Sequence, residues 1–514
     1  MKLIVAEGLY SDLTRRGLLL GAAGASLAHF AGCGGGDGGM GSTGASASAT
    51  PPLVYPIASQ GAGQTLPTVP LDEGVVDSAG VRTFLLAVQP GTTQFRSGIN
   101  ASTLGYNGAL LGPALRLRSG ERTLIRVRNG LGELTTVHWH GLILSAEVDG
   151  GPHQPIAPGT HWDANFIVSN PASTCWFHPH AHGTTGRQVV SGLAGLLIVD
   201  DPASRQSTLP STWGIDDLAL VLQDKRFTTS GQIDYTLTAS DRLMGYMGDS
   251  LLVNGALAPV WQAPRQWVRL RLLNGCNARI LTLRLGKSVA MLQVANEAGL
   301  LATPVKRSSV ALAPGERVEV LVDFSDVANG QEIPLVAGSA ASGMGMGGAS
   351  TTLEVIAMTI RVSLPKQPNA IATPPVGLVA APSVVASAGA TVRSFNLDGG
   401  MMGSPFTINA KPFDIGRIDF TVPANAVEIW SFFNATSMAH PMHVHGVRMS
   451  LLARDGATPA AHEQGLRDTF IVDSMQTLTI AVQTPATASL SPLMVHCHIL
   501  EHEDAGMMAQ FITV

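Results

Sequence analysis

The stretch His496-Cys497-His498-Ile499-Leu500-Glu501-His502-Glu503-Asp504-Ala505-Gly506-Met507 sets a thiol among three imidazoles and ends on a thioether. Cys497, His502 and Met507 follow a Cys-x4-His-x4-Met spacing. A soft thiolate, an imidazole and a weak thioether are donors of a blue-copper electron-transfer site, which takes one further histidine. His496 and His498 alternate with Cys497. If the segment begins as a strand, both imidazoles take one face and the sulfur takes the other. One short peptide then touches two metal centres.

The rest of the composition frames this reading. The chain has 514 residues, enough for about three domains. Its formal charge is -5 and only 13% of residues are charged, which excludes the basic footprint of a nucleic-acid-binding protein. There are 57 Gly and 31 Pro, and helix-period apolar patterns are scarce, so many short strands joined by turns are expected and the fold class is all-β.

At the N-terminus, Thr14-Arg15-Arg16-Gly17-Leu18-Leu19-Leu20 and the apolar run to Ala31 resemble a twin-arginine export signal, which predicts a periplasmic protein. Phe30-Ala31-Gly32-Cys33 looks like a lipobox that would place a lipid anchor on Cys33; a plain cleavage site is the alternative. Gly34 to Thr50 reads as a flexible tether. Of four cysteines, Cys175 and Cys276 remain once Cys33 and Cys497 are assigned, and both are expected to be buried free thiols.

Past the signal and linker of residues 1–50, composition divides the chain into blocks at 51–202, 203–370 and 371–514. Gly195-Leu196-Leu197-Ile198-Val199-Asp200-Asp201-Pro202 closes the first, and a Pro- and Ala-rich passage from Pro365 to Ala390 precedes the third. A strand ending in Asn recurs at Ile125 to Gly130, Leu270 to Gly275 and Val427 to Asn434. This rhythm suggests three copies of one β-sandwich. Asn129-Gly130 reads as a turn, and Trp267 to Gly275 and Arg317 to Asp323 read as half-buried strands with their charges in solvent.

Histidine placement says more. Of fifteen, none lies between 183 and 439, so the middle block has none. Eight form His-x-His pairs, His138/His140 and His178/His180 in the first block, His443/His445 and His496/His498 in the last. A structural zinc takes four ligands and a catalytic zinc commonly three, so eight imidazoles converging where the end blocks meet point to a cluster of several metals. His440, in His440-Pro441-Met442-His443-Val444-His445, is the candidate for the histidine that the Cys497 site lacks.

His138-Trp139-His140-Gly141, Trp176-Phe177-His178-Pro179-His180, the His440 to Gly446 stretch and His496 to Met507 resemble the four copper motifs of the multicopper oxidases, enzymes of three cupredoxin-like Greek-key β-sandwich domains. By that resemblance His138 and His443 hold the type 2 copper. His140, His178, His180, His445, His496 and His498 hold the type 3 pair. His440, Cys497, His502 and Met507 form the type 1 site. The family reduces O2 to water with electrons taken singly from a reductant.

The likeness is greatest to bacterial periplasmic cuprous oxidases of copper efflux, and it extends into Gln223 to Phe227, Arg271 to Arg279 and Gly315-Glu316-Arg317. It gives Asp149 and Glu503 the role of passing protons to oxygen. His153, His161, His182 and His462 are expected to be structural or to support the ligands. Cuprous oxidases carry a Met- and His-rich insert and a carboxylate/Met substrate site. Here only Met344, Met346, Met401, Met402 and Met438 are available as Cu(I) donors, and Thr436 stands where an Asp is expected. The shortened insert predicts a type 1 edge more open to phenols. Expected partners are therefore O2 with Cu(I) or small aromatic reductants, acting on a monomer. A laccase-type phenol oxidase and a non-catalytic copper-binding scaffold are the alternatives.

Overall fold

The structure is a computed structural model that describes residues 64–514 except 205–207, 288, 340–352 and 401–403. The export signal, Cys33, the tether and Met344, Met346, Met401 and Met402 lie outside the described residues. Among the described residues there are six sheets, and they face one another in three pairs. The first pair is built from strands between Leu71 and Asp200, the second from Asp217 to Leu364, the third from Val392 to Thr513. Each pair encloses its own apolar core, centred on Phe84, Ile125 and Phe177, on Leu270, Leu283 and Ile360, and on Trp430, Phe432 and Phe511. These are three β-sandwiches.

The Asn rhythm has a structural counterpart in all three. Arg122–Asn129, Trp267–Asn274 and Val427–Asn434 each pair in parallel with an earlier strand and antiparallel with a later one. At the end of each strand the buried Asn accepts the N–H two residues on, at 2.9, 3.0 and 3.0 Å. Each Asn Nδ2 also donates to two or more carbonyls, one four or five residues on and the others 27 to 39 residues on. Asn129-Gly130 is therefore not a hairpin turn. The antiparallel partner of its strand, His161–Ile167, comes about thirty residues later, and the amide ties the long connection down.

The two strands expected to be half-buried are covered on both faces. Trp267–Asn274 and Arg317–Asp323 are buried almost throughout. Trp176, Leu196 and Ile198 of the first sandwich pack against Ala219, Val221 and Leu273 of the second. The charged face of these strands meets the first sandwich. There Arg269 Nε donates to Glu319 Oε2 at 2.7 Å, and Arg271 binds Asp217 at 2.7 and 2.9 Å. Alternation of charged and apolar residues signals solvent only when no charged partner waits across an interface.

Candidate metal centres

Two antiparallel pairings bring the histidines together. In the third sandwich, His440–Val444 pairs with Ser489–Cys497 so that His443 faces His496 across the strands. In the first, His138 and His178 exchange backbone hydrogen bonds of 2.8 and 3.2 Å. The sandwiches then meet ring to ring: His138 stacks on His445 at 3.8 Å between centroids, and His140 on His443 at 3.6 Å. All eight imidazoles are buried.

Most of the rings have one nitrogen taken up by protein. His138 Nδ1 donates to the Asp149 carbonyl at 3.1 Å, His178 Nδ1 to the Pro179 carbonyl at 2.8 Å, His443 Nδ1 to the Asp468 carbonyl at 2.7 Å and His496 Nδ1 to the Cys497 carbonyl at 3.1 Å. His445 Nδ1 donates to Asp149 Oδ2 at 2.7 Å. Each of these leaves Nε2 with a lone pair. His140 is reversed, because its Nε2 lies 3.1 Å from both Asp468 Oδ1 and Thr469 Oγ1, so Nδ1 is its free donor.

The free nitrogens converge. His138 and His443 Nε2 are 3.4 Å apart, His178 Nε2 and His140 Nδ1 3.4 Å, His180 and His496 Nε2 3.2 Å, His445 and His496 Nε2 3.0 Å. Two nitrogens sharing one tetrahedral ion at about 2.0–2.1 Å sit roughly 3.3 Å apart. Both ring nitrogens of His498, grouped with His140 and His178, are buried without a hydrogen-bond partner. Burial, reinforced by neighbouring imidazoles, holds His140, His178, His180, His443, His445 and His498 well below the usual histidine range, and burial takes His496 to about 3. These rings are neutral lone-pair donors packed where a cation is the natural partner.

Cys497 points the other way, into the core of the third sandwich, with Met507 buried in the same cluster. Its Sγ lies 3.4 Å from His440 Nδ1 and 3.7 Å from His502 Nδ1. The opposite nitrogens are engaged: His440 Nε2 donates to Thr436 Oγ1 at 2.8 Å and His502 Nε2 to the Leu243 carbonyl at 2.9 Å. Both Nδ1 atoms therefore face the sulfur, as a His2Cys site with a weak axial thioether requires. Burial takes His502 down to about 4 and pushes the Cys497 thiol up, so a soft metal must displace its proton.

The chemistry has family counterparts. Multicopper oxidase family profiles match residues 87–204 and 389–514. The Multicopper oxidase mco of Staphylococcus haemolyticus is 36% identical over 442 residues, 85% of this chain and 90% of that protein. The chain belongs to the multicopper oxidases. Its cofactor is copper, as one type 1, one type 2 and a type 3 pair, and the histidine clusters are compatible with that set. A bacterial laccase-like multi-copper oxidase, CueO, of the lignin-degrading Ochrobactrum sp., with oxidase activity towards lignin model compounds and lignosulfonate, is 38% identical with a TM-score of 0.78, covering 87% of this chain and 100% of that one. Cell division protein FtsP of Xenorhabdus nematophila is 34% identical over 454 residues, 87% of this chain and 92% of that protein.

The other expected residues are placed as follows. Asp149 Oδ2 lies between His445 and His138, while its Oδ1 is buried without a partner. Glu503 lies 3.3 Å from His180 Nδ1 and 3.4 Å from His496 Nδ1, with no hydrogen bond to either oxygen. Met438 is half-buried against the core of the third sandwich. Cys175 and Cys276 are buried free thiols. His182 does not support the ligands: it is exposed and meets Phe413 edge-on.

One expectation is reversed. The described residues already close the type 1 edge, because Thr436, Leu243 and the Phe406 ring cover the two imidazoles and leave both fully buried. Sequence reading also passed over Asp468, which touches two ligands. Its only signal is its place just before Thr469–Val472, the strand that pairs with His440–Val444, and that pairing is not readable from spacing.

Proposed function

We propose that the chain couples one-electron oxidations of Cu(I) to the reduction of O2 to water, in the periplasm after twin-arginine export, and so serves copper tolerance. The observation that carries this reading is the closure of the type 1 site. Both imidazole Nε2–H groups are spent on Thr436 and Leu243, which leaves no ring edge for a bulky phenol. A small soft ion needs only a thioether at the surface, and Met438, half-buried two residues before His440, offers one.

Bound copper supplies the one-electron and oxygen chemistry. The protein joins the centres covalently, since Cys497 is flanked by His496 and His498. It also holds protons close by. Glu503, its carboxyl raised well above the usual range by burial and by the Asp504 charge, keeps a proton within reach of His180 and His496. Asp149 Oδ2 accepts from His445, and its unpartnered Oδ1 is a second place to carry a proton inward.

The second reading, phenol oxidation, is favoured by the likeness to the laccase-like Ochrobactrum enzyme. A non-catalytic role, raised by the likeness to a cell division protein, is opposed by the presence of all twelve candidate donors, eleven of them in converging geometry. Steady-state O2 uptake with Cu(I) and with a dimethoxyphenol, each with and without added Cu(II), separates the three. Cu(I) turnover should dominate, with phenol turnover dependent on added copper. Fast phenol turnover without added copper beside negligible Cu(I) turnover would overturn the proposal, and no uptake with any reductant would restore the scaffold.

A further inference from the structure

The middle sandwich supplies no copper ligand, yet one of its side chains reaches the cluster. Arg317 is fully buried where all three sandwiches meet. Its Nε donates to the Thr174 carbonyl of the first sandwich at 2.8 Å. Its Nη1 and Nη2 grip the two oxygens of Asp468, beside the third, at 2.7 and 2.6 Å. Nη1 is also held by the Gly315 carbonyl at 2.9 Å. A planar fork binding both carboxylate oxygens fixes orientation as well as distance.

Asp468 passes that orientation on. Its Oδ1 faces His140 Nε2 at 3.1 Å, which turns Nδ1 of that ring towards His178, and its main-chain carbonyl receives His443 Nδ1–H at 2.7 Å. A single aspartate thus sets the tautomer and the pose of two stacked rings that belong to different coppers in the family assignment.

Two glycines are explained by this contact. A Cβ on Gly141, which follows His140 with φ +93°, would lie 2.5 Å from Asp468 Oδ2 and 2.6 Å from Arg317 Nη2. A Cβ on Gly315, at φ +84°, would lie within 2.9–3.0 Å of the His498 ring. The Gly315-Glu316-Arg317 stretch, far in sequence from any ligand, therefore packs directly on the cluster.

We propose that Arg317 is a positioning residue for the type 2 side of the cluster: by gripping the Asp468 carboxylate it fixes His140 directly and, by fixing the pose of that residue, aims the Asp468 main-chain carbonyl at His443, so that a domain without ligands governs how copper is held there. The proposal rests on the copper assignment above, and copper content of the wild-type protein tests that assignment separately.

The test is Arg317→Lys in the full copper-loaded protein, which keeps one charge and loses the fork. Type 2 copper occupancy and its electron paramagnetic resonance hyperfine pattern should change, with a loss of roughly 10–100-fold in affinity for that ion. The blue type 1 absorbance and the circular dichroism should stay as in the wild type. Arg271→Lys is the control, since Arg271 is equally buried at the same junction and binds Thr174 Oγ1, Asp217 and Glu319 but no ligand. An Arg317→Lys protein with wild-type type 2 occupancy and spectrum would overturn the proposal. So would an Arg271→Lys protein with the same spectral change, which would reduce the effect to general packing. If Arg317→Lys does not fold, Asp468→Asn carries the same expectation and the same overturning result.

Discussion

Single atoms decide what each histidine does. The ring nitrogen already committed to a carbonyl, a hydroxyl or a carboxylate leaves only the other for a metal, and this divides the type 1 pair, which offers Nδ1, from His138, His178, His443, His445 and His496, which offer Nε2. Cys497→Ser removes the soft donor and the covalent link between centres without adding volume, so the protein should fold, lose its blue colour and lose nearly all O2 uptake. Retained uptake would refute Cys497 as the link. The two acidic residues should behave differently. Glu503 makes no hydrogen bond to a ligand, so Glu503→Gln should slow O2 reduction by about 10²–10⁴-fold with copper content unchanged. Asp149 holds His445 directly, so Asp149→Asn should also disturb the metal-ion spectrum. Equal copper loss in both variants would argue against proton holding by Glu503.

Among elements, the three Asn-terminated strands are the repeat unit. Each asparagine satisfies a buried N–H and at least two carbonyls, one or more of them buried. Asn129→Ala or Asn274→Ala leaves these groups unpaired and should cost about 2–4 kcal/mol in denaturant unfolding. Asn434 does more. Its Oδ1 accepts the Thr436 hydroxyl at 2.7 Å, and that hydroxyl accepts His440 Nε2–H, so Asn434→Ala should also shift the blue absorbance while the other two variants leave it alone. An unchanged blue band in Asn434→Ala would show that the relay through Thr436 does not reach the type 1 site. The repeat was legible as a sequence rhythm. Its meaning was not, because Asn-Gly spells a turn locally and only the loop that folds back over the amide makes it an anchor.

Across the whole molecule, buried charges join the sandwiches. Burial alone would raise the Glu319 carboxyl, but the Arg269 and Arg271 guanidiniums outweigh it and hold it at about 2. A carboxyl depressed by folding contributes stability that is complete above its unfolded value of about 4.3 and is lost as pH falls through its folded value. Glu319→Gln takes the carboxylate from buried Arg269 and leaves Arg271 with Asp217 alone, and should destabilise the protein by about 3–5 kcal/mol near neutral pH. The gap from wild type, followed by urea midpoints, should narrow as pH falls below about 4.3. A gap that stays constant with pH would show that packing, and not the ion pair, carries the effect.

By itself the sequence determined the all-β class, the repeated strand and the twelve candidate donors, because copper chemistry demands particular residue types at short, fixed spacings such as His-x-His and Cys-x4-His-x4-Met, and local spacing survives in a linear chain. Only the tertiary structure decided which nitrogen of each ring is free, that the type 1 edge is closed by Leu243 and Thr436, and that Asp468 and Arg317 stand behind the cluster. The contacts of Leu243 with His502, Asp468 with His140 and Arg317 with Asp468 join residues more than a hundred positions apart, and even the local ones, such as Thr436 with His440, depend on burial and on the pairing of buried polar groups, which exist only once the sandwiches have met.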